Sequence, residues 1–285
     1  MHITTNNTTT TRGNCSATVV LCSETLSGAR LITMELVYPR YIHSEFMTHR
    51  AFSRNAQSSR ATPTKILIDE VKSNPIVPTT FYANQAGMVG GAPLAPERQA
   101  EASLMWRTSA KFAAATAEAL LETGAHKQHI NRVLEPYLPI KVVVTATEWD
   151  NFFDLRLAKD AQPEMQDLAL AMQEAQRLMD VVPLAALHAP YLTDEDKAAI
   201  VDRKFDDPIY TMQIASAARC ARVSYYKHDG TKPTVEEDIE LATRLKKSRH
   251  MSPFEHTAED ASYINAFYAN FRGWKSLRYE FEMEN

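Results

Sequence analysis

Glycine is scarce: the 285 residues hold only 8. None forms a glycine-rich turn between a strand and a helix, so neither a G-x-G-x-x-G loop nor a P-loop is supported. A phosphate-bearing ligand must therefore be held by side chains. Cysteine is equally sparse. Cys15, Cys22 and Cys220 are the three present, an odd number without a C-x-x-C pair. That argues against a disulfide framework or a zinc site and for a reduced, cytoplasmic setting. No apolar run approaches the length of a membrane span, so no membrane partner is expected. Residues 1–14, rich in Thr and Asn, lack the apolar stretch of a signal peptide and are expected to be a disordered polar tail. The net charge of -4 excludes wrapping of a nucleic acid by bulk electrostatics, so an anion must be met by a local cluster. Hydrophobic residues at 45% and charged residues at 23% suffice for one core, expected over residues 15–285 as a single domain.

Residues 17–22 and 30–37 are β-branched and apolar and read as two strands joined by a turn at Ser27-Gly28. Pro39 ends the second. Residues 42–60 lack Gly and Pro and are expected to begin as helix. Residues 74–97 hold several Pro and Gly and read as a surface loop. An amphipathic helix is expected over 97–123, stopped by Gly124. A short strand follows at 141–147, then helices at 162–179, 194–202 and 208–221. Thr234 with Glu237 three residues on is a capping box that opens a helix to about 248. Strands and helices mix without regular alternation, which implies an α+β (mixed α/β), non-Rossmann fold.

Three clusters carry chemistry. Residues 49–60 hold one His, three Arg, three Ser, one Asn and one Gln, and no acid. The arginine fork matches phosphate oxygens, and hydroxyls with free backbone N–H groups complete an oxyanion cradle. The competing reading is a solvated basic helix face, which the missing acids disfavour because exposed helices interleave charges. The second cluster is Asn131-Arg132 together with residues 145–156, where Asn151 and Arg156 stand among aromatics. A part-buried guanidinium needs an acceptor, either Asp150 or Asp154, or a ligand carbonyl. The third joins residues 221–225 to His250, Ser252, Glu255 and His256. Its spacing is not His-Glu-x-x-His, and Pro253 breaks the helix that motif needs, so no metal is expected. A flavin or a base fits better. Cys220, in an alanine-rich helix, reads as structural.

These residues resemble the flavin-dependent thymidylate synthases, whose signature is R-H-R-x-x-S-x-N-x-x-S-x-R. Here it runs Thr48-His49-Arg50-x-x-Ser53-x-Asn55-x-x-Ser58-x-Arg60, with Thr48 in place of the first Arg. Asn151-Phe152-Phe153-Asp154-Leu155-Arg156 resembles the family's N-F-x-x-L-R stretch. Ala221-Arg222-Val223-Ser224 and Ser252-Pro253-Phe254-Glu255-His256 resemble its A-R-V-S and T-P-F-E-H segments, which usually precede the signature and here follow it. That order resembles a circular permutation.

The resemblance implies a single catalytic domain, a homotetramer with active sites where subunits meet, and FAD bound without a Rossmann motif. It implies methylation of dUMP to dTMP with 5,10-methylenetetrahydrofolate and NADPH as co-substrates. Arg156 would be catalytic, stabilising the ionised uracil edge. Glu45, Thr48, Ala56, Gln57, Ser58, Ser59, Arg60, Arg132 and Arg156 would meet dUMP. His49, Arg50, Asn55, Thr145, Thr147, Asn151, Ser224, His250, Ser252 and Glu255 would meet the cofactor. The alternatives are a related flavoenzyme that adds a hydroxymethyl or other one-carbon group to a pyrimidine nucleotide, and a non-catalytic nucleotide- or RNA-binding protein. The net charge and the lack of stacking aromatics around the basic cluster disfavour the last.

Overall fold

The computed structural model describes residues 9–180, 182–183, 185–223, 231–263 and 266–283. Its main sheet is built from β1 (Thr9–Arg12), β2 (Cys15–Glu24), β3 (Arg30–Pro39), β4 (Ser53–Ala56) and β5 (Pro139–Ala146), in the order β1-β2-β3-β5-β4, all antiparallel. The short β6 (Val182–Pro183) adds in parallel to β2. The β2–β3 hairpin turns at Ser27-Gly28 as expected, with Gly28 at φ +82, where only glycine is unstrained. The expected disorder of residues 1–14 is corrected from Thr9 onward. Threonine suits a pleated edge, and Thr10 Oγ1 also donates to the Ala171 carbonyl at 2.5 Å.

Successive side chains of a strand face opposite ways. Met34, Leu36, Val142 and Val144 point to one face, where α6 (Pro163–Arg177) covers them with Met165, Leu168, Met172 and Ala175. Thr33, Glu35, Val143 and Thr145 point to the other, together with their β4 neighbours Ser53 and Asn55. This polar face is roofed by the C-terminal third of the chain. There stand β7 (Leu187–His188), α7 (Asp194–Asp202), α8 (Pro208–Ala221), α9 (Val235–Lys247), a 3-10 turn at Ser252–Glu255, β8 (Ala258–Asp260), β9 (Phe267–Tyr268), β10 (Phe271–Arg272), β11 (Trp274–Ser276) and α10 (Leu277–Met283). Fully buried Trp274 locks this roof to the hairpin through Leu31 and by donating from Nε1 to the Ala29 carbonyl at 3.1 Å.

Between β3 and β5 the chain makes α1 (His43–Phe46), α2 (Thr64–Ser73), α3 (Pro96–Glu122) and α4 (Lys127–Leu134). The last three share a core of Leu67, Val71, Ala114, Ala117, Ile130 and Leu134. A last short helix, α5 (Asp150–Arg156), follows β5. The helix expected to begin at 42 stops at Phe46, and residues 53–56 are strand. The Ser-Arg-Asn-Ala run has no strand pattern of its own; the free edge of β5 imposes it.

Candidate functional site

The basic cluster is a bend between a helix and an edge strand. Phe46 and Phe52, both buried, pack on Phe152 of α5 with ring centroids 5.9 and 5.2 Å away. His49 lies edge-on to Phe152 at 4.8 Å. Residues four apart share a helix face, so the same anchoring brings Arg156 to the bend. Its Nε donates to His49 Nε2 at 2.8 Å and its Nη2 to Thr48 Oγ1 at 3.1 Å. Thr48 in turn donates to the Glu45 carbonyl at 2.7 Å. Burial, and then the charge of Arg156, lower the His49 pKa from 6.5 to about 4. The ring is therefore neutral near pH 7, and its Nε2 accepts the hydrogen bond from the arginine. Among the described residues Arg156 forms no ion pair, with Asp150, Asp154 or any other acid. The internal salt bridge left open by the sequence is absent, and a half-buried cation is held in place by neutral groups alone.

The three arginines of the cluster do different work. Arg54 Nη1 donates to the carbonyls of Met47 and His49 at 2.8 and 2.9 Å and so closes the bend. Arg50 and Arg60 are exposed. Asn55, on β4, bridges to the far end of the chain. Its Nδ2 donates to the Cys220 carbonyl at 2.9 Å, and its Oδ1 accepts from Ser252 Oγ at 3.1 Å. The third sequence cluster thus meets the first, although 197 residues separate the two side chains. Glu255 pairs with Arg278 of α10, a partner without a sequence signal. His250 is exposed, and Ser224 lies outside the described residues. The Cys220 thiol is buried, and burial pushes its pKa up, away from thiolate chemistry.

At the other end of the bend, Ser59 is buried and its hydroxyl has no hydrogen-bond partner among the described residues. Asn131 of α4 fixes this turn by donating to the carbonyls of Ser59 and Thr62 at 2.8 and 3.1 Å. The next residue, Arg132, donates from Nη1 to both oxygens of Glu135 at 2.9 and 3.1 Å. Arg40, missed in the sequence because it stands alone after a strand-ending proline, approaches Glu135 at 3.5 Å and donates to the Gln57 carbonyl at 3.2 Å. Gln57 and Ser58 are half-buried beside it, and Ala56 pairs with Val142 in the ladder.

Other expected contacts do not converge here. Thr145 is wholly buried, and its hydroxyl lies 2.7 Å from Thr33 Oγ1 and 2.8 Å from His256 Nδ1, which leaves little for a ligand. Thr147 Oγ1 accepts from the Arg272 amide at 3.1 Å. Asn151 is exposed on α5, and Glu45 accepts from Ser44 at 2.9 Å. A separate pocket of about 300 Å³, lined by Tyr210, Ile214, Lys246 and Phe254 among others, contains none of the expected site residues. Among the described residues no three His, Cys, Asp or Glu side chains are arranged to hold a metal ion, and no helix is long and apolar enough to cross a membrane.

The fold and this site define a mixed α/β protein in which a bend and two helices bring arginine, serine and asparagine side chains together without a glycine loop. The chain belongs to the family of thymidylate synthase complementing proteins: the family's sequence profile matches residues 29–184, more than half of its length. The match contains Thr48 to Arg60, Arg132 and Arg156 and ends before Ser252. No curated protein matches the chain. Among solved structures it is similar to the UMP/dUMP methylase PolB from Streptomyces cacaoi bound with 5-Br UMP, with 15% identity, a TM-score of 0.49, and 60% of this chain and 92% of that chain covered. It is also similar to the flavin dependent thymidylate synthase ThyX from Helicobacter pylori complexed with FAD and dUMP. There the identity is 18% and the TM-score 0.38, with 51% of this chain and 67% of that chain covered.

Proposed function

We propose that the protein is a cytoplasmic, FAD- and NADPH-dependent thymidylate synthase that converts dUMP to dTMP with 5,10-methylenetetrahydrofolate. The observation that carries this reading is Arg156, which among the described residues pairs with no carboxylate and which the neutral His49 ring and Thr48 hold in place. A fixed cation of this kind stabilises the anion that develops on uracil when C5 becomes nucleophilic, and such a group is worth about 10²–10³ in rate. Arg132, Arg60, Ser58 and Ser59 are read as the phosphate subsite. Ser59 offers a buried hydroxyl without a partner, as an anion ligand requires.

The cofactor fits the donor set. His49, Arg50, Asn55 and Ser252 present polar side chains from three segments, and a flat polar ring with a phosphate tail asks for donors of this type without a glycine cradle. FAD, when bound and reduced by NADPH, supplies the hydride that completes the methyl group. The meeting of Ser252 with Asn55 supports reading the C-terminal segments as relocated parts of one site. The exposed Leu104, Met105 and Phe112 on α3 support a homotetramer.

Incubation with dUMP, methylenetetrahydrofolate, NADPH and FAD, followed by mass spectrometry of the nucleotide, tests the proposal. A gain of one methyl group is expected, and NADPH oxidation that responds to dUMP. A hydroxymethylated or unchanged nucleotide overturns it. The first product would establish the related one-carbon chemistry instead.

A further inference from the structure

The anion subsite already contains an anion. Glu135, in the 3-10 turn at Glu135–Tyr137 that follows α4, accepts both of its hydrogen bonds from Arg132 through the same guanidinium nitrogen. A surface i,i+3 pair usually stands free in solvent and contributes little. This one is different in its surroundings. The Glu135 side chain is only 19% exposed and Arg40, which approaches the same Oε1 that Arg132 reaches, only 14%. Arg40 is fixed as well: its amide donates to the Leu138 carbonyl at 3.0 Å and its Nη2 to Gln57. Its Nε is buried without a hydrogen-bond partner among the described residues. Two polar groups at this end, Arg40 Nε and Ser59 Oγ, are therefore buried and unsatisfied, a condition that native structures rarely tolerate unless a ligand or water completes it. Asn131, one residue before Arg132, ties the Ser59 turn to α4, so the two orphaned groups and the carboxylate belong to one corner of the molecule.

We propose that Glu135, held by Arg40, is a built-in stand-in for the substrate phosphate that a nucleotide must displace from Arg132. This rests on the reading of Arg132 as a dUMP phosphate ligand. The consequence is selectivity for charge. A phosphate dianion competes with a single carboxylate for Arg132 and also engages Arg40 and Ser59. A nucleoside without phosphate cannot displace Glu135. Arg40 is thus a further phosphate-binding residue, and Glu135 sets the nucleotide affinity without touching the nucleotide's base.

The test is equilibrium binding of dUMP, and of inorganic phosphate as a competitor, to the FAD-loaded protein, its E135Q and R132Q variants and the double variant. A pair of this kind is worth up to about 1 kcal/mol, so E135Q should bind dUMP up to about fivefold more tightly than the wild type. The gain should vanish in the R132Q background, and inorganic phosphate should compete more strongly against E135Q. Deoxyuridine binding should be equal in wild type and E135Q. If the wild type binds dUMP but E135Q binds it equally or more weakly, with the flavin content and melting temperature of the wild type, the stand-in role is overturned and the thymidylate synthase reading survives. If the wild type does not bind dUMP, both are overturned.

Discussion

His188 and His256 are wholly buried on the polar face of the main sheet, and burial keeps both rings neutral near pH 7. They belong to a chain of hydrogen bonds that links three strands. Ser23 Oγ meets His188 Nδ1 at 2.8 Å, His188 Nε2 meets Thr33 Oγ1 at 2.8 Å, and Thr33 meets Thr145, which meets His256 Nδ1. Burial lowers both ring pKa values from 6.5 to about 3, helped for His188 by the neighbouring His256. In the unfolded chain the rings return to about 6.5. The folded values lie below the unfolded ones, so stability is complete above pH 6.5 and is lost as the pH falls toward 3. In that window each ring costs about 1.4 kcal/mol per pH unit. Two rings cost about 5 kcal/mol between pH 6.5 and 4.5, as much as the whole stability of many domains. Urea unfolding at half-unit steps of pH measures this slope, and a His256→Asn variant isolates one ring. Its slope should be shallower than that of the wild type by about 1.4 kcal/mol per pH unit. Glu70, Asp167 and Glu259, whose carboxyl pKa values burial raises, act in the opposite sense. They are present in both proteins and cancel in the difference. Parallel slopes for wild type and variant would refute the reasoning.

Arg156→Ala should lower dTMP formation by about 10²–10³ or more while bound flavin, read by absorbance, stays near the wild-type content; an active variant removes the role assigned to Arg156. Cys220→Ser should remain active in the same assay, because the buried thiol has no part in the proposed chemistry; complete loss in a folded variant reopens a covalent route. Asp238 is fully buried and accepts from Arg219 Nε at 2.8 Å and from Arg222 Nη2 at 2.7 Å. Asp238→Asn leaves the buried Arg219 with one counter-ion fewer and should cost about 3–5 kcal/mol in urea unfolding; a loss below about 1 kcal/mol contradicts that account.

Much of the fold is readable along the chain because local physics decides it. α7 and α8 occupy the residues expected from periodicity. The box of Thr234 with Glu237 is formed on both sides, with Glu237 N donating to Thr234 Oγ1 at 3.3 Å and Thr234 N to Glu237 at 2.8 Å. What escaped are elements whose shape is borrowed from neighbours. β4 has no alternation of its own and exists because β5 offers an edge. β1 carries only threonines and an arginine, and it is held by pairing and by Thr10 on α6. The family resemblance made Thr145 a cofactor contact, yet its place on an inward strand face gave its hydroxyl two internal neighbours.

The bend at 49–60 shows the same division. By itself the sequence determined that phosphate-matching groups are concentrated there and that no glycine cradle exists, since residue type settles donor chemistry. It did not determine which arginine is available. Arg54 is spent on the carbonyls that close the bend, Arg132 pairs with Glu135, and Arg156, 107 residues from His49, is held by the side chains of His49 and Thr48. Those assignments depend on which distant elements come within hydrogen-bond reach, and only the packing of α5 and α4 against the bend decides that.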